Sequence, residues 1–119
     1  MRHHNSIRKF GLEQNGRRAL LRSLAISLID CGRIETTEAK AKELRPYVEP
    51  LITKAQQNTP ATLRYLVSRL GSGSQTAIVK KLVETIAPKY KKRSGGYTRI
   101  IKSAIRQSDG ARMAVIEFI

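Results

Sequence analysis

The residues of this sequence that offer chemistry are cations gathered into short segments. One segment runs from Lys89 to Lys102 and interleaves its cations with Tyr90 and Tyr97 around the pair Gly95-Gly96. Cations neutralise phosphates and aromatic rings stack on unpaired bases, so this spacing is typical of an RNA-binding surface. Core packing of the two tyrosines is an equally consistent interpretation. The predicted RNA-binding residues here are Lys89, Lys91, Lys92, Arg93, Gly95, Gly96, Tyr97, Arg99 and Lys102.

A second group of cations begins at the N-terminus. Residues 1–15 show neither helical nor strand periodicity, and Glu13 is the only acidic residue before Arg22. An extended basic arm that leads into a helix is suited to follow a phosphate backbone. The predicted RNA-binding residues of this group are Arg2, His3, His4, Arg8, Lys9, Arg17, Arg18 and Arg22.

A third group surrounds the start of a predicted helix. The exposed N–H groups of a helix N-terminus attract phosphates, and nearby cations strengthen that attraction. A solvated helix face is an equally consistent interpretation of these residues. The members of the group are Thr36, Thr37, Lys40, Lys42 and Arg45.

The overall charge supports a polyanionic partner. The 119 residues include 23 Lys and Arg against 9 Asp and Glu, which gives a formal net charge of +14. Such self-repulsion is best explained by nucleic acid, and an anionic membrane ranks second. No apolar run approaches the roughly 18 residues of a spanning helix, so we predict no membrane partner.

Residues for catalysis or metal binding are scarce. The two histidines, His3 and His4, lie in the predicted arm, far from the single cysteine, Cys31. A catalytic triad, a zinc site and an internal disulfide are therefore not predicted, and Cys31 is expected to be buried. No Gly-Lys-Ser/Thr follows the loop 71–74, so we expect no cofactor and no small-molecule substrate.

Apolar spacing and capping residues predict the first elements. A helix is expected from Gly16, with Gly32 ending it. A short strand from Arg33 to Thr36 follows, and Thr37 is suited to cap a second helix that continues to about Gln57.

Prolines shape the prediction for the remaining helices. Pro46 and Pro50 each remove a backbone donor, so the second helix is expected to be kinked or divided. Thr59-Pro60 begins a third helix that the loop 71–74 closes, and a fourth helix is expected to stop before Pro88.

The C-terminal part predicts β structure. Residues 97–105 and 113–119 are rich in β-branched and aromatic types, with a turn signal at 108–110 between them. They are expected to pair as an antiparallel hairpin, and residues 34–36 are a candidate third strand.

The predicted fold class is therefore α+β. About four helices would pack on a small antiparallel or mixed three-stranded sheet, with an extended basic N-terminal arm. Residues 1–15 are assigned to the RNA-binding arm and residues 16–119 to a single globular domain.

Several motifs carry more information than composition does. The chain opens with Met1-Arg2-His3, and Thr36-Thr37 is followed by 40-KAKELR-45 and 48-VEPLI-52. Near the C-terminus, 95-GGYTRI-100 and Lys102 precede 109-DGA-111. Over essentially its full length the chain resembles the family of bacterial-type large-subunit ribosomal protein seventeen.

The resemblance implies an α+β domain with an extended arm, bound to large-subunit ribosomal RNA near the exit of the nascent-chain tunnel. Neighbouring large-subunit ribosomal proteins would be its other partners. The implied role is structural support of translation, without catalysis. The implied location is the large subunit of a cytoplasmic ribosome, with an organellar ribosome left open.

Two other classes of protein remain open from the residues. A DNA-compacting protein would share the charge but would not prefer ribosomal RNA, so competition by duplex DNA distinguishes it. A small RNA-modifying enzyme would need a pocket with a general base, which the sequence does not supply.

Overall fold

In a computed structural model, which describes residue 8 and residues 10–70 and 76–119, the chain begins with a long helix, α1, from Gln14 to Cys31. Its start lies slightly before the predicted Gly16. Gly32 ends the helix in the left-handed conformation, with φ +83°, and donates its N–H to Leu28 O at 2.7 Å. Glycine adopts this φ without a steric penalty, which is why the helix stops here.

Strand β1 and helix α2 follow without a loop. β1 spans Arg33–Thr37 and α2 spans Glu38–Gln57. Thr37 caps α2 as predicted, because its hydroxyl accepts the N–H of Lys40 at 3.3 Å. α2 is one helix despite Pro46 and Pro50 inside it, so of the two expected forms, a kinked helix or two short helices, the second is not observed.

The fourth helical segment extends further along the chain than predicted. α3 spans Pro60–Leu70 and α4 spans Thr76–Lys81. A π-helical turn, Leu82–Ile86, and a 3-10 turn, Ala87–Tyr90, continue the helical path. The expected stop before Pro88 is wrong, because Pro88 occupies the start of the 3-10 turn, where a missing N–H costs no hydrogen bond.

The sheet has three antiparallel strands in the order β1-β3-β2, and the predicted hairpin and third strand are confirmed. β2 spans Thr98–Ile105 and β3 spans Arg112–Phe118. β3 pairs with β1 from Arg33 opposite Glu117 and with β2 from Thr98 opposite Phe118. The α+β class with four helices is therefore confirmed.

The core lies between one face of the sheet and the helices. α1 contributes Ala25, Leu28 and Ile29, which are fully buried, and Ala114 and Ile116 of β3 are fully buried opposite. Other buried members come from α2, α3 and the helical segment before β2, and they are Leu44, Val48, Leu51, Ile52, Leu66, Leu70 and Leu82.

Cys31 was predicted to be buried, but it is exposed. The buried stripe of α1 runs through Leu28 and Ile29, and Cys31 lies off that stripe at the last position of the helix.

The far half of the β2–β3 hairpin stands away from the core. Every residue from 101 to 110 is exposed. The turn is held by Arg106, whose guanidinium donates to both carboxylate oxygens of Asp109 at 2.9 and 2.7 Å. This hydrogen bonding, with the N–H of Ala111, lowers the pKa of Asp109 to about 2. Arg106 is therefore neutralised locally.

Candidate nucleic-acid interface

The basic loop connects the 3-10 turn to β2, and we define it as residues 91–97. Lys91, Lys92 and Arg93 are exposed on it. Arg93 donates from Nε to Gly95 O at 3.2 Å, which places its guanidinium beside the glycine pair. Gly96 has φ +64°, a backbone conformation that residues with a side chain rarely adopt. Glycine at this position therefore sets the path of the loop.

Both tyrosines of this segment belong to the core. Tyr97 is 1% exposed and Tyr90 is 7% exposed, and their ring centroids lie 5.4 Å apart. The Tyr97 hydroxyl donates to Arg93 O at 3.1 Å, and the Tyr90 hydroxyl donates to Ile119 O at 2.5 Å. Burial raises the pKa of the Tyr90 phenol. Base stacking and core packing were both consistent with the sequence, and core packing is the one observed. The buried Tyr97 ring has no face free for a base.

Glu49 of α2 holds the end of the loop. One carboxylate oxygen accepts the backbone N–H of Tyr97 at 2.9 Å, and the other accepts the hydroxyl of Thr98 at 3.3 Å. Arg45 stands 3.7 Å from the same carboxylate and donates to Thr98 O at 3.4 Å. The predicted cation Arg45 is thus a bridge between α2 and β2.

Replacing Glu49 should destabilise the fold. In Glu49→Ala the N–H of Tyr97 loses its acceptor in a buried setting, which costs about 1–3 kcal/mol of the free energy of unfolding. Glu49→Gln keeps an acceptor oxygen at the same place and should lose less. Urea unfolding followed by circular dichroism measures both, and equal midpoints for Glu49→Ala and the wild type would contradict the assignment.

The N-terminus of α2 lies in a cleft of about 430 Å³ with mixed charge. Arg8, Lys42 and Arg112 line it, and so do Thr37 and Glu38. Lys42 lies 2.9 Å from Glu38, and its hydrogen bond lowers the pKa of that carboxyl group. Because Glu38 occupies this N-terminus, the cations around it are partly neutralised.

One residue of the 89–102 group, Lys102, lies beside the α2 group. Lys102 of β2 stands 3.7 Å from Glu38, which also pairs with Lys42. Arg99 lies on the other face of β2 and donates to Glu117 at 3.1 Å. Lys102 therefore lies with the α2 group, whereas Arg99, the other cation of β2, does not.

The N-terminal group of predicted residues is described only in part. Arg2, His3, His4 and Lys9 lie outside the described residues. Arg8 pairs with Glu43 at 2.9 Å. Arg17 is half-buried, Arg18 is exposed, and Arg22 donates from Nε to Arg69 O at 3.2 Å.

Among the predicted residues, Thr36 is buried and Thr37 serves as the helix cap, so their side chains are committed to the fold. Arg112, which lines the α2 cleft, was missed by sequence reasoning. Its only signal was its place between Gly110-Ala111 and the strand predicted to begin at Met113.

Within residues 8, 10–70 and 76–119, no group of His, Cys, Asp and Glu is arranged to hold a metal ion. Among the described helices, none combines the length and the apolar character that a membrane span requires.

Comparison with known proteins decides the family. The model of the family described as ribosomal protein L17 matches residues 20–119. The chain belongs to the ribosomal protein L17 family. Proteins of the L17 family are structural ribosomal proteins and not enzymes, so the prediction of a non-enzymatic role is confirmed.

Relatives extend the match to the whole chain. A large ribosomal subunit protein bL17 of Nautilia profundicola is 53% identical, with 100% of this chain and 98% of the relative covered. The protein of the same name from Sulfurimonas denitrificans is 51% identical, with 100% of both covered. That from Campylobacter jejuni is 50% identical, with 100% of this chain and 99% of the relative covered. The L17 resemblance stated from the motifs is confirmed.

Proposed function

We propose that this protein is a structural constituent of the large ribosomal subunit and binds large-subunit ribosomal RNA. The observation that carries the proposal is the exposed basic loop, which has Lys91, Lys92 and Arg93 on a rigid base formed by Tyr90 and Tyr97. No carboxylate of the described residues lies within ion-pair distance of these three cations. They are free for phosphates.

The N-terminal arm, residues 1–15, is the second proposed contact, and α1 extends it with Arg17 and Arg18. Arginine is suited to fixed contacts, because its planar fork matches phosphate oxygens and stacks on bases. Lysine acts as a point charge, so Lys91 and Lys92 would supply diffuse attraction. By resemblance to the family, the binding place would be near the exit of the nascent-chain tunnel, beside neighbouring large-subunit proteins, in the cytoplasm.

Sedimentation tests this function. Cell extract is separated on a sucrose gradient at moderate salt, and the protein is detected in each fraction. We expect co-migration with large subunits in near one-to-one amount. Protein found only in light fractions, or released by duplex DNA competitor as readily as by ribosomal RNA, would contradict the proposal and favour a DNA-compacting role.

A further inference from the structure

A separate surface of the molecule brings aromatic rings and cations together where α1, α2 and α3 meet. We call it the tyrosine platform. It lies outside the basic loop and the α2 cleft, and it was not predicted as a contact except for one arginine. Its members are Arg22, Tyr47, Lys54, Tyr65 and Arg69.

Arg69 is the centre of the tyrosine platform. Its guanidinium carbon lies 5.0 Å from the ring centroid of Tyr47 and 5.9 Å from that of Tyr65. Lys54 Nζ lies 5.7 Å from the Tyr65 ring. The rings and cations thus alternate across the surface, at distances at which a cation is attracted to an aromatic face.

The backbone beneath Arg69 is fixed from two sides. The Tyr47 hydroxyl donates to Arg69 O at 2.8 Å, and Arg22 donates to the same oxygen at 3.2 Å. Carbonyls in the last turn of a helix lack a partner within the helix, so these bonds satisfy an open acceptor at the end of α3. The guanidinium of Arg69 is therefore presented from a rigid base.

The rings of the tyrosine platform are more exposed than the other tyrosine rings of this chain. The sequence has only four tyrosines, and Tyr90 and Tyr97 are buried in the core. The other two lie here, and Tyr65 is 37% exposed. Packing accounts for Tyr47, which is half-buried, but leaves a large part of the Tyr65 ring in contact with solvent.

The cations of the tyrosine platform have no counter-charge of their own. None of the ion pairs among the described residues includes Arg22, Lys54 or Arg69, whereas Arg106 pairs with Asp109. A guanidinium that lies over aromatic rings keeps its outer N–H groups available for hydrogen bonds. The surface therefore offers the partly exposed ring of Tyr65 and positive charge together.

We propose that the tyrosine platform binds an unpaired nucleotide of RNA, with the base stacked on the exposed part of the Tyr65 ring and within reach of the outer N–H groups of Arg69. Lys54 and Arg22 then neutralise the phosphates on either side. The inference rests on the proposed RNA-binding function and adds to it a site and a class of ligand. Protein interfaces are also enriched in Tyr and Arg, but they are depleted in Lys, whereas Lys54 lies against the Tyr65 ring here, where it suits a phosphate.

The test uses the full chain and two variants of one residue. Tyr65→Leu keeps an apolar side chain but removes the flat ring, and Tyr65→Phe is the matched control that keeps the ring. The probe is a single-stranded oligoribonucleotide that contains one 2-aminopurine, whose fluorescence falls when the base stacks. Thermal unfolding of each variant verifies that it folds.

We expect quenching with the wild type and with Tyr65→Phe, and about ten-fold weaker binding with Tyr65→Leu, the effect of removing one base–aromatic stack. Equal affinity and quenching for Tyr65→Leu and Tyr65→Phe would overturn the inference. Loss of incorporation into large subunits by Tyr65→Leu, with unchanged affinity for the oligoribonucleotide, would assign the tyrosine platform to a protein contact and also overturn it.

Binding to purified large-subunit ribosomal RNA, measured in parallel, separates this inference from the proposed function. If the wild type binds that RNA and the two variants do not differ on the probe, the function stands and the base-stacking site does not. If the wild type shows no preference for ribosomal RNA over duplex DNA, the proposed function itself fails.

Discussion

Raising the salt concentration from about 50 to about 200 mM is expected to weaken binding to large-subunit ribosomal RNA by roughly a thousand-fold, as for a protein that neutralises about six phosphates. The reason is the net charge of +14, much of it on exposed cations such as Lys91 and Lys92. Filter binding over a series of salt concentrations gives the slope of log affinity against log salt. A flat response would rule out phosphate neutralisation as the basis of binding.

Two matched double variants locate these contacts. Lys91→Ala with Lys92→Ala is expected to reduce the slope by about 1.5, since each phosphate contact contributes about 0.7–0.9. Arg33→Gln with Arg106→Gln removes the same charge from cations that already pair with carboxylates, and it should leave the slope nearly unchanged. Equal reductions in both would mean that net charge alone governs binding, against a specific role of the basic loop.

Replacing Tyr97 by alanine is expected to lower the free energy of unfolding by about 3–5 kcal/mol, the range for removing a large aromatic side chain from a core. The ring is 1% exposed and packs on Tyr90, so the deletion leaves a cavity beneath the basic loop. Urea unfolding of the purified variant measures the change.

The matched control is Tyr97→Phe. It keeps the ring and loses only the hydroxyl bonds to Thr53 and Arg93, so it should cost about 1 kcal/mol. If Tyr97→Ala kept wild-type stability but bound RNA more weakly, the core role would be contradicted and Tyr97 would instead be a base-stacking residue.

The parts of the fold that local signals specify were predictable. Thr37 and Gly32 act through hydrogen bonds within a few residues of themselves, so their types indicate where α2 begins and α1 ends. The β2–β3 hairpin is predicted for the same reason, since its turn and its strands are adjacent in sequence. Pro88 misled the prediction because a helical path can change to a 3-10 turn at a residue that lacks an N–H.

The candidate site was predicted less completely, because its contacts join distant segments. Glu49 reaches Tyr97 across 48 positions, and nothing local to either residue indicates this bond. The tyrosine platform was not predicted, because Tyr47 of α2 and Arg69 of α3 come together only through the packing of these two helices. A usable signal was present in the four-residue spacing of Tyr65 and Arg69, which places an aromatic ring and a cation on one side of a helix.

The strand order has a consequence for how the chain is made. β3 is the central strand, yet it follows every other described element in the chain. On a translating ribosome β1 is complete long before β3 exists, so the sheet cannot begin to form while α1, α2 and α3 are being synthesised. Until then β1 is an unpaired strand of the kind that promotes aggregation. Premature termination before Arg112 would leave a helical fragment with two strands and no partner for either.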